Sequence, residues 1–82
     1  MLKTELRKAN FKHALQVLVH DFNAFSFDDE MGGRKTFFIE KEDGETVHGE
    51  ISRDCDVCFF DQPDLEDKIN KTINEKVLSI SW

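Results

Sequence analysis

The sequence predicts an α+β domain in which two amphipathic helices cover one face of an antiparallel meander sheet of three to five strands. Three observations indicate this. Apolar residues recur at three- and four-residue steps near both ends of the chain, as they do in helices. Between these segments apolar and polar residues alternate, as in half-buried strands, and turns that contain glycine separate the alternating runs. The predicted order is an N-terminal helix, three or four strands, a second helix and a short last strand, an α-β-β-β-α-β arrangement.

The length and composition indicate one folded domain that spans residues 1–82. A chain of this size buries only about 60% of its unfolded surface, which leaves a thin core. Apolar residues make up 39% of the chain, with one Pro and four Gly, as in folded rather than disordered proteins. The eight Phe, one Trp and no Tyr supply apolar area without a phenolic hydroxyl. These rings are therefore expected to fill a core or an apolar contact.

The first helix is predicted from Thr4 to about Phe22. Its apolar stripe consists of Phe11, Ala14, Leu15, Leu18 and Phe22. Leu2, Leu6 and Ala9 also fit helical spacing, but at about 100° per residue they project away from this stripe. Either the helix wraps around the core, or its first two turns offer a separate apolar contact.

Two hairpins are predicted next. In the first, residues 24–28 and 35–41 flank the turn Met31-Gly32-Gly33. In the second, residues 42–45 supply turn chemistry, with Gly44 available for a positive φ, and the strand at 46–52 places Val47 and Ile51 on one face.

A further strand is predicted from Cys55 to Phe60, followed by a helix that begins near Asp61-Gln62-Pro63-Asp64 and ends at about Lys76. These four residues combine a candidate Asp cap with a proline near the first helical position. The spacing also predicts the helical ion pairs Asp64–Lys68 and Asp67–Lys71. The strict alternation of residues 78–82 predicts a closing strand.

The charge of the chain is concentrated in one region. From Glu42 to Asp67 there are ten carboxylates and one basic side chain, Arg53, within a chain of formal net charge −6. A negative field repels nucleic acid and attracts basic surfaces. The candidate partner-binding residues of this region are Asp54, Asp56, Asp61, Asp64, Glu66 and Asp67. They form either a solubilising surface or a negative ridge that docks on a basic groove as a nucleic-acid backbone does.

The pair Cys55 and Cys58 forms a C-x-x-C, which can bind zinc or act as a redox pair. A structural zinc site needs two further ligands, and the chain has neither a second C-x-x-C nor paired histidines at ligand spacing. The neighbouring Asp54 and Asp56 should also raise the thiol pKa values. Ordinary strand cysteines are expected, with a zinc or redox protein as an alternative. No metal or other cofactor is expected.

The sequence does not indicate an enzyme. It lacks G-x-S-x-G, H-E-x-x-H and both phosphate-binding glycine motifs. The order of helix, strands and helix is similar to that of double-stranded-RNA-binding domains. Here, however, the second helix begins with acids where a phosphate binder needs lysines. Direct nucleic-acid binding is therefore not expected.

Residues 1–9 contain no continuous apolar run, so they predict neither a signal peptide nor a membrane span, and a cytoplasmic location is the default expectation. The predicted function is a small acidic domain that binds a protein with a basic surface. Its most specific form is an inhibitor or nucleic-acid mimic from a phage or mobile element, acting on a nucleic-acid-handling host protein. The alternative is an assembly subunit that homodimerises through the N-terminal helix or a sheet edge.

Overall fold

The computed structural model describes residues 3–78, with side chains from Glu5 onward. The α-helices are α1 (Lys3–Phe22) and α2 (Pro63–Ile73), and α2 continues as a π-helical segment, Asn74–Leu78, while Met31–Gly33 form a short 3-10 turn. The strands are β1 (Phe25–Asp29), β2 (Lys35–Glu40), β3 (Thr46–Ile51) and β4 (Val57–Phe59). They form one sheet of order β1-β2-β3-β4 in which every neighbouring pair is antiparallel. This confirms the predicted α+β meander with one helix before the sheet and one after it.

Only the first residue of the predicted closing strand lies in the described part of the chain, and that residue is not in a strand. This residue, Leu78, belongs to the π-helical segment that follows α2. The remaining residues, 79–82, lie outside the part of the chain that the structure describes.

A single core forms between the two helices and one face of the sheet. The helices contribute Ala14, Val17, Leu18, Ile69, Ile73 and Val77, and the strands contribute Phe37, Ile39, Val47, Ile51 and Val57. The predicted stripe on α1 is confirmed at its centre, where Ala14 and Leu18 are fully buried. Phe11, Leu15 and Phe22 are partly buried at its margins. The stripe also includes the buried Val17, which the spacing analysis left out.

Both predicted hairpins form. In the second, Gly44 has φ 87°, and the Asp43 carboxylate accepts a hydrogen bond from the Glu45 N–H at 2.9 Å. This tight turn fixes the register in which Glu40 pairs with Thr46. In the first, an irregularity between Phe25 and Asp28 shifts the pairing of β1 with β2, which explains why the alternation in β1 is weak.

Strand β4 is shorter than predicted, because backbone turns limit it on both sides. Cys55 has φ 70°, and its N–H donates to the Ser52 carbonyl at 3.0 Å, so this residue lies in a turn. After the strand, Asp61 has φ 55° and leaves the extended conformation. The predicted aspartate cap of α2 is wrong: the N-cap is Gln62, whose side chain makes no capping bond, and Pro63 begins the helix.

Side chains of α2 bind the backbone groups along the edge of β4 that no strand pairs with. The Asn70 amide accepts from the Val57 N–H and donates to the Val57 carbonyl, both at 2.8 Å. The Glu66 carboxylate accepts from the Phe59 N–H at 2.9 Å. Because Glu66 lies beside Phe59 and Asn70 beside Val57, the helix runs antiparallel to the strand. These side chains satisfy backbone groups that an edge strand would otherwise leave open.

Candidate partner-binding surface

The six predicted contact residues lie around β4 and the first turns of α2. Asp54 and Asp56 belong to the turn before the strand, and Asp61 lies in the connection after it. Asp64, Glu66 and Asp67 belong to α2. The structure gives these six carboxylates three different environments.

Asp54 forms an ion pair with α1. The Arg7 guanidinium donates to the Asp54 carboxylate, with an Nε–Oδ1 distance of 2.8 Å, and both side chains are exposed. An exposed pair of this kind stabilises a fold by about 0–1 kcal/mol. Asp54 is therefore partly neutralised by its own chain.

Glu66 has a structural role. It lies half-buried between α2 and β4, and its carboxylate accepts the Phe59 N–H. Removing it would leave an edge N–H without its partner. The prediction that Glu66 is a free contact residue does not take this bond into account.

Four carboxylates remain exposed and have no ion pair within 4.0 Å among residues 5–78. They are Asp56, Asp61, Asp64 and Asp67. The helical pairs expected between Asp64 and Lys68 and between Asp67 and Lys71 do not form in this part of the chain. We call these four residues the free carboxylates.

The outer face of the sheet, opposite the core, carries a feature that the sequence analysis missed. The Phe25 and Phe38 rings stack at 6.0 Å between centroids, and the Phe38 and His48 rings stack at 4.6 Å with planes 20° apart. Beyond them, the Phe60 side chain is 93% exposed. We call Phe25, Phe38, His48 and Phe60 the aromatic stripe. The residue alternation in β2 and β3 was the signal that could have revealed it.

A groove of about 320 Å³ lies at one end of this stripe. Its walls include the His48 and Phe60 rings, and Glu50 and Cys58 also line it. Within the described part of the chain, no lysine or arginine lines this groove. We call it the aromatic-acidic groove. Glu50, absent from the predicted contact residues, faces Cys58 across the β3–β4 pair.

Several carboxylates give this end of the sheet a negative potential. Slight desolvation, Glu66, Glu50 and Asp56 together raise the pKa of the exposed Cys58 thiol. Glu50 also lies 3.6 Å from the Arg34 guanidinium, in an exposed and loose ion pair. The local field therefore favours cations over anions.

The two cysteines do not have the environment of a reactive pair. Cys55 is buried in the core, and burial, with smaller effects from Asp54 and Asp56, raises the pKa of its thiol to about 11. Cys58 lies exposed on the outer face. Both metal binding and redox exchange need the thiolate, which raised pKa values disfavour. Among residues 3–78, no three metal-ligating side chains come together.

A second cavity, of about 690 Å³, lies between the first half of α1 and the turn before β4. Leu6, Phe11 and Leu15 supply its apolar lining, and Lys8, Lys12 and Arg53 also border it. Of the three residues predicted for a separate contact on the first turns of α1, Leu6 lines this cavity beside Phe11 and Leu15 of the main stripe, Ala9 does not line it, and the Leu2 side chain lies outside the described residues. The cationic border distinguishes this surface from the aromatic-acidic groove.

In comparisons with known proteins, no protein-family model, curated protein or solved structure matched this chain. Among the described residues, no helix combines the length and apolar character needed to cross a membrane. The function must therefore be inferred from the chemistry of the surface.

Proposed function

We propose that this chain is a small, non-enzymatic protein-binding domain whose acidic surface recognises a basic surface on a partner protein. The observation that supports this most is the set of free carboxylates, exposed around β4 and α2 in a chain of net charge −6. Their field would steer a basic partner toward this side and speed the encounter. The partner is a protein, because nucleic acid carries the same sign of charge as this surface.

The most specific form of the proposal is an inhibitor or nucleic-acid mimic, encoded by a phage or another mobile element and active in the cytoplasm of its host. Its target would be a host protein that handles nucleic acid. Support comes from the exposed carboxylates on both sides of β4, Asp56 before the strand and Asp61 after it, because a groove built for phosphates binds successive anionic groups. In this form, bound nucleic acid and this chain would exclude each other.

Capture from a host lysate with matched variants tests the proposal. The test variant carries D56N, D61N, D64N and D67N. The control variant carries E5Q, E30Q, E40Q and E42Q, which removes the same four charges from other exposed positions. The immobilised wild type and control should retain the same basic protein, identified by mass spectrometry, whereas the test variant should retain at least about tenfold less, as expected for several lost charge contacts.

Competition with duplex DNA tests the mimic form separately. Added DNA should release the captured protein from the wild-type chain. Equal capture by the wild type, the test variant and the control would contradict recognition through the free carboxylates. Capture that DNA cannot displace would leave an acidic binding domain but contradict mimicry.

A homodimeric assembly subunit is the second candidate function. Strand β1 lies at the edge of the sheet, and its Phe25 side chain is 45% exposed. An edge strand with an exposed aromatic ring can pair with a second copy. Sedimentation of the wild type and an F25K variant at two concentrations tests this. A concentration-dependent dimer that F25K abolishes would support it, and a monomer at both concentrations would contradict it.

A further inference from the structure

We infer that the aromatic-acidic groove on the outer face of the sheet is the pocket for an arginine side chain of the basic protein partner. This inference rests on the proposed function, because it names the chemistry by which the same partner is recognised. It places the anchor of the interface on the outer face of the sheet.

The walls of the groove suit a flat cation. The His48 ring stacks on Phe38 at 4.6 Å, while the Phe60 side chain, 93% exposed, leaves its ring uncovered for contact with a guest. A guanidinium is planar and weakly hydrated, so it stacks on aromatic faces. A Phe ring exposed to this extent contributes little to the core and is available for a partner.

The acidic side of the groove suits the charge and the hydrogen bonds of the same group. Glu50 lines the groove and already lies 3.6 Å from the Arg34 guanidinium, in an exposed pair that is loose enough to be shared or displaced. Asp56 and Glu66 add negative potential at the neighbouring Cys58. No lysine or arginine of residues 5–78 lines the groove itself, so the nearby like charge that an incoming cation would meet through Glu50 is the Arg34 guanidinium.

Other ligands fit less well. A lysine ammonium has no planar face to stack between the rings and cannot form a two-pronged bond with Glu50. Nucleobases also stack on exposed aromatic side chains, but their phosphates would approach a carboxylate-rich surface. An arginine side chain can both stack on the aromatic rings and form charged hydrogen bonds with the Glu50 carboxylate.

Three peptides of the sequence Gly-Xaa-Gly-Xaa-Gly-Xaa test the inference, with arginine, lysine or citrulline at Xaa. Titration into the ¹⁵N-labelled chain, followed by NMR, should shift the amides of His48, Glu50 and Phe60. We expect the arginine peptide to bind at least about fivefold more tightly than the lysine peptide, in line with the stacking preference. The uncharged citrulline peptide should not bind measurably. Equal affinities for arginine and lysine would overturn the inference.

Substitutions of groove residues test whether the arginine peptide binds in the groove. F60A should weaken the arginine peptide about tenfold and E50Q severalfold, as expected for a lost stacking face and a lost charge. M31A is the matched control, because Met31 is also apolar and 86% exposed but does not line the groove. Its affinity should equal that of the wild type. An F60A chain with a native-like spectrum and unchanged affinity would overturn the inference, as would an eight-residue oligo-dT that binds and shifts the same amides.

Comparing how much partner each variant captures from the lysate distinguishes failure of this inference from failure of the proposed function. If F60A captures the partner as the wild type does while the variant without the free carboxylates does not, the groove is not the anchor and the acidic domain stands. If neither variant loses the partner, both ideas fail. Loss of the partner from both variants, with M31A unaffected, supports both.

Discussion

At the scale of single residues, Gly49 shows how tightly the inner face of the sheet is packed. A Cβ atom at this position would lie 2.5 Å from the Phe59 ring. Phe59 in turn packs edge-to-face on Phe37, with ring centroids 5.7 Å apart. The strand therefore requires glycine here to let the aromatic ring cover its backbone.

Replacing Gly49 with alanine should lower the free energy of unfolding by about 1–3 kcal/mol, because the added methyl group displaces the Phe59 ring. Urea unfolding measures the change. The same substitution in an F59L background should cost clearly less, since the shorter side chain leaves room. An identical cost in both backgrounds would show that the ring is not the cause.

Cys55 gives stability a dependence on alkaline pH. Its thiol titrates near 9 in the unfolded chain and at about 11 in the fold. Below pH 9 both states keep the proton, so stability is unaffected. Between pH 9 and 11 the unfolded chain releases the proton first, and the free energy of unfolding should fall by on the order of 1–2 kcal/mol. Urea unfolding of the wild type and C55A at pH 8 and 10.5 measures this, and an equal fall in both would contradict it.

At the scale of elements, the contact of α2 with β4 determines how the sheet ends. Asn70 imitates a neighbouring strand by both accepting from and donating to Val57. This leaves β1 as the sheet edge available for pairing. The helix thus limits association of the chain to the opposite edge or to a face.

Replacing Asn70 with aspartate tests this closure without changing side-chain size. The carboxylate still accepts from the Val57 N–H but faces the Val57 carbonyl without a proton to donate. We expect a loss of about 1–3 kcal/mol in the free energy of unfolding, measured by urea. N74D adds the same charge at an exposed position and should cost only a few tenths of a kcal/mol. Equal costs for the two variants would show that the Asn70 bonds contribute little.

Periodicity and turn chemistry predicted the helices and hairpins because the signals are local. The stripe on α1 and the turn at Gly44 depend only on spacing and on backbone freedom. The ends of β4 could not be predicted in the same way. Cys55 and Asp61 adopt positive φ values although neither is glycine, and such values are uncommon for residues other than glycine, so the residue types did not indicate them.

At the scale of the whole molecule, the fold separates surfaces of different chemistry. The free carboxylates and the aromatic-acidic groove lie around β4, while Lys8, Lys12 and Arg53 border the cavity beside α1. Counting charges along the chain predicted the acidic region. It could not predict that Arg7 pairs with Asp54 or that Glu66 binds the backbone, because these contacts join residues 47 and 7 positions apart.

The groove was missed for a related reason. His48 lies in β3 and Phe60 directly follows β4, and only the sheet register brings them to one groove. Single strands show the alternation but not the pairing. The partner-binding hypothesis therefore began with charge alone, and the fold added an aromatic component.

The affinity of the captured partner as a function of salt is the most direct measurement of recognition through charge. The wild-type chain should bind the purified partner at least about tenfold more weakly at 500 mM than at 50 mM salt, because screening shortens the range of the carboxylate field to a few ångströms. The variant without the free carboxylates should show a shallower dependence than its charge-matched control. An affinity that does not change over this range would contradict an electrostatic interface.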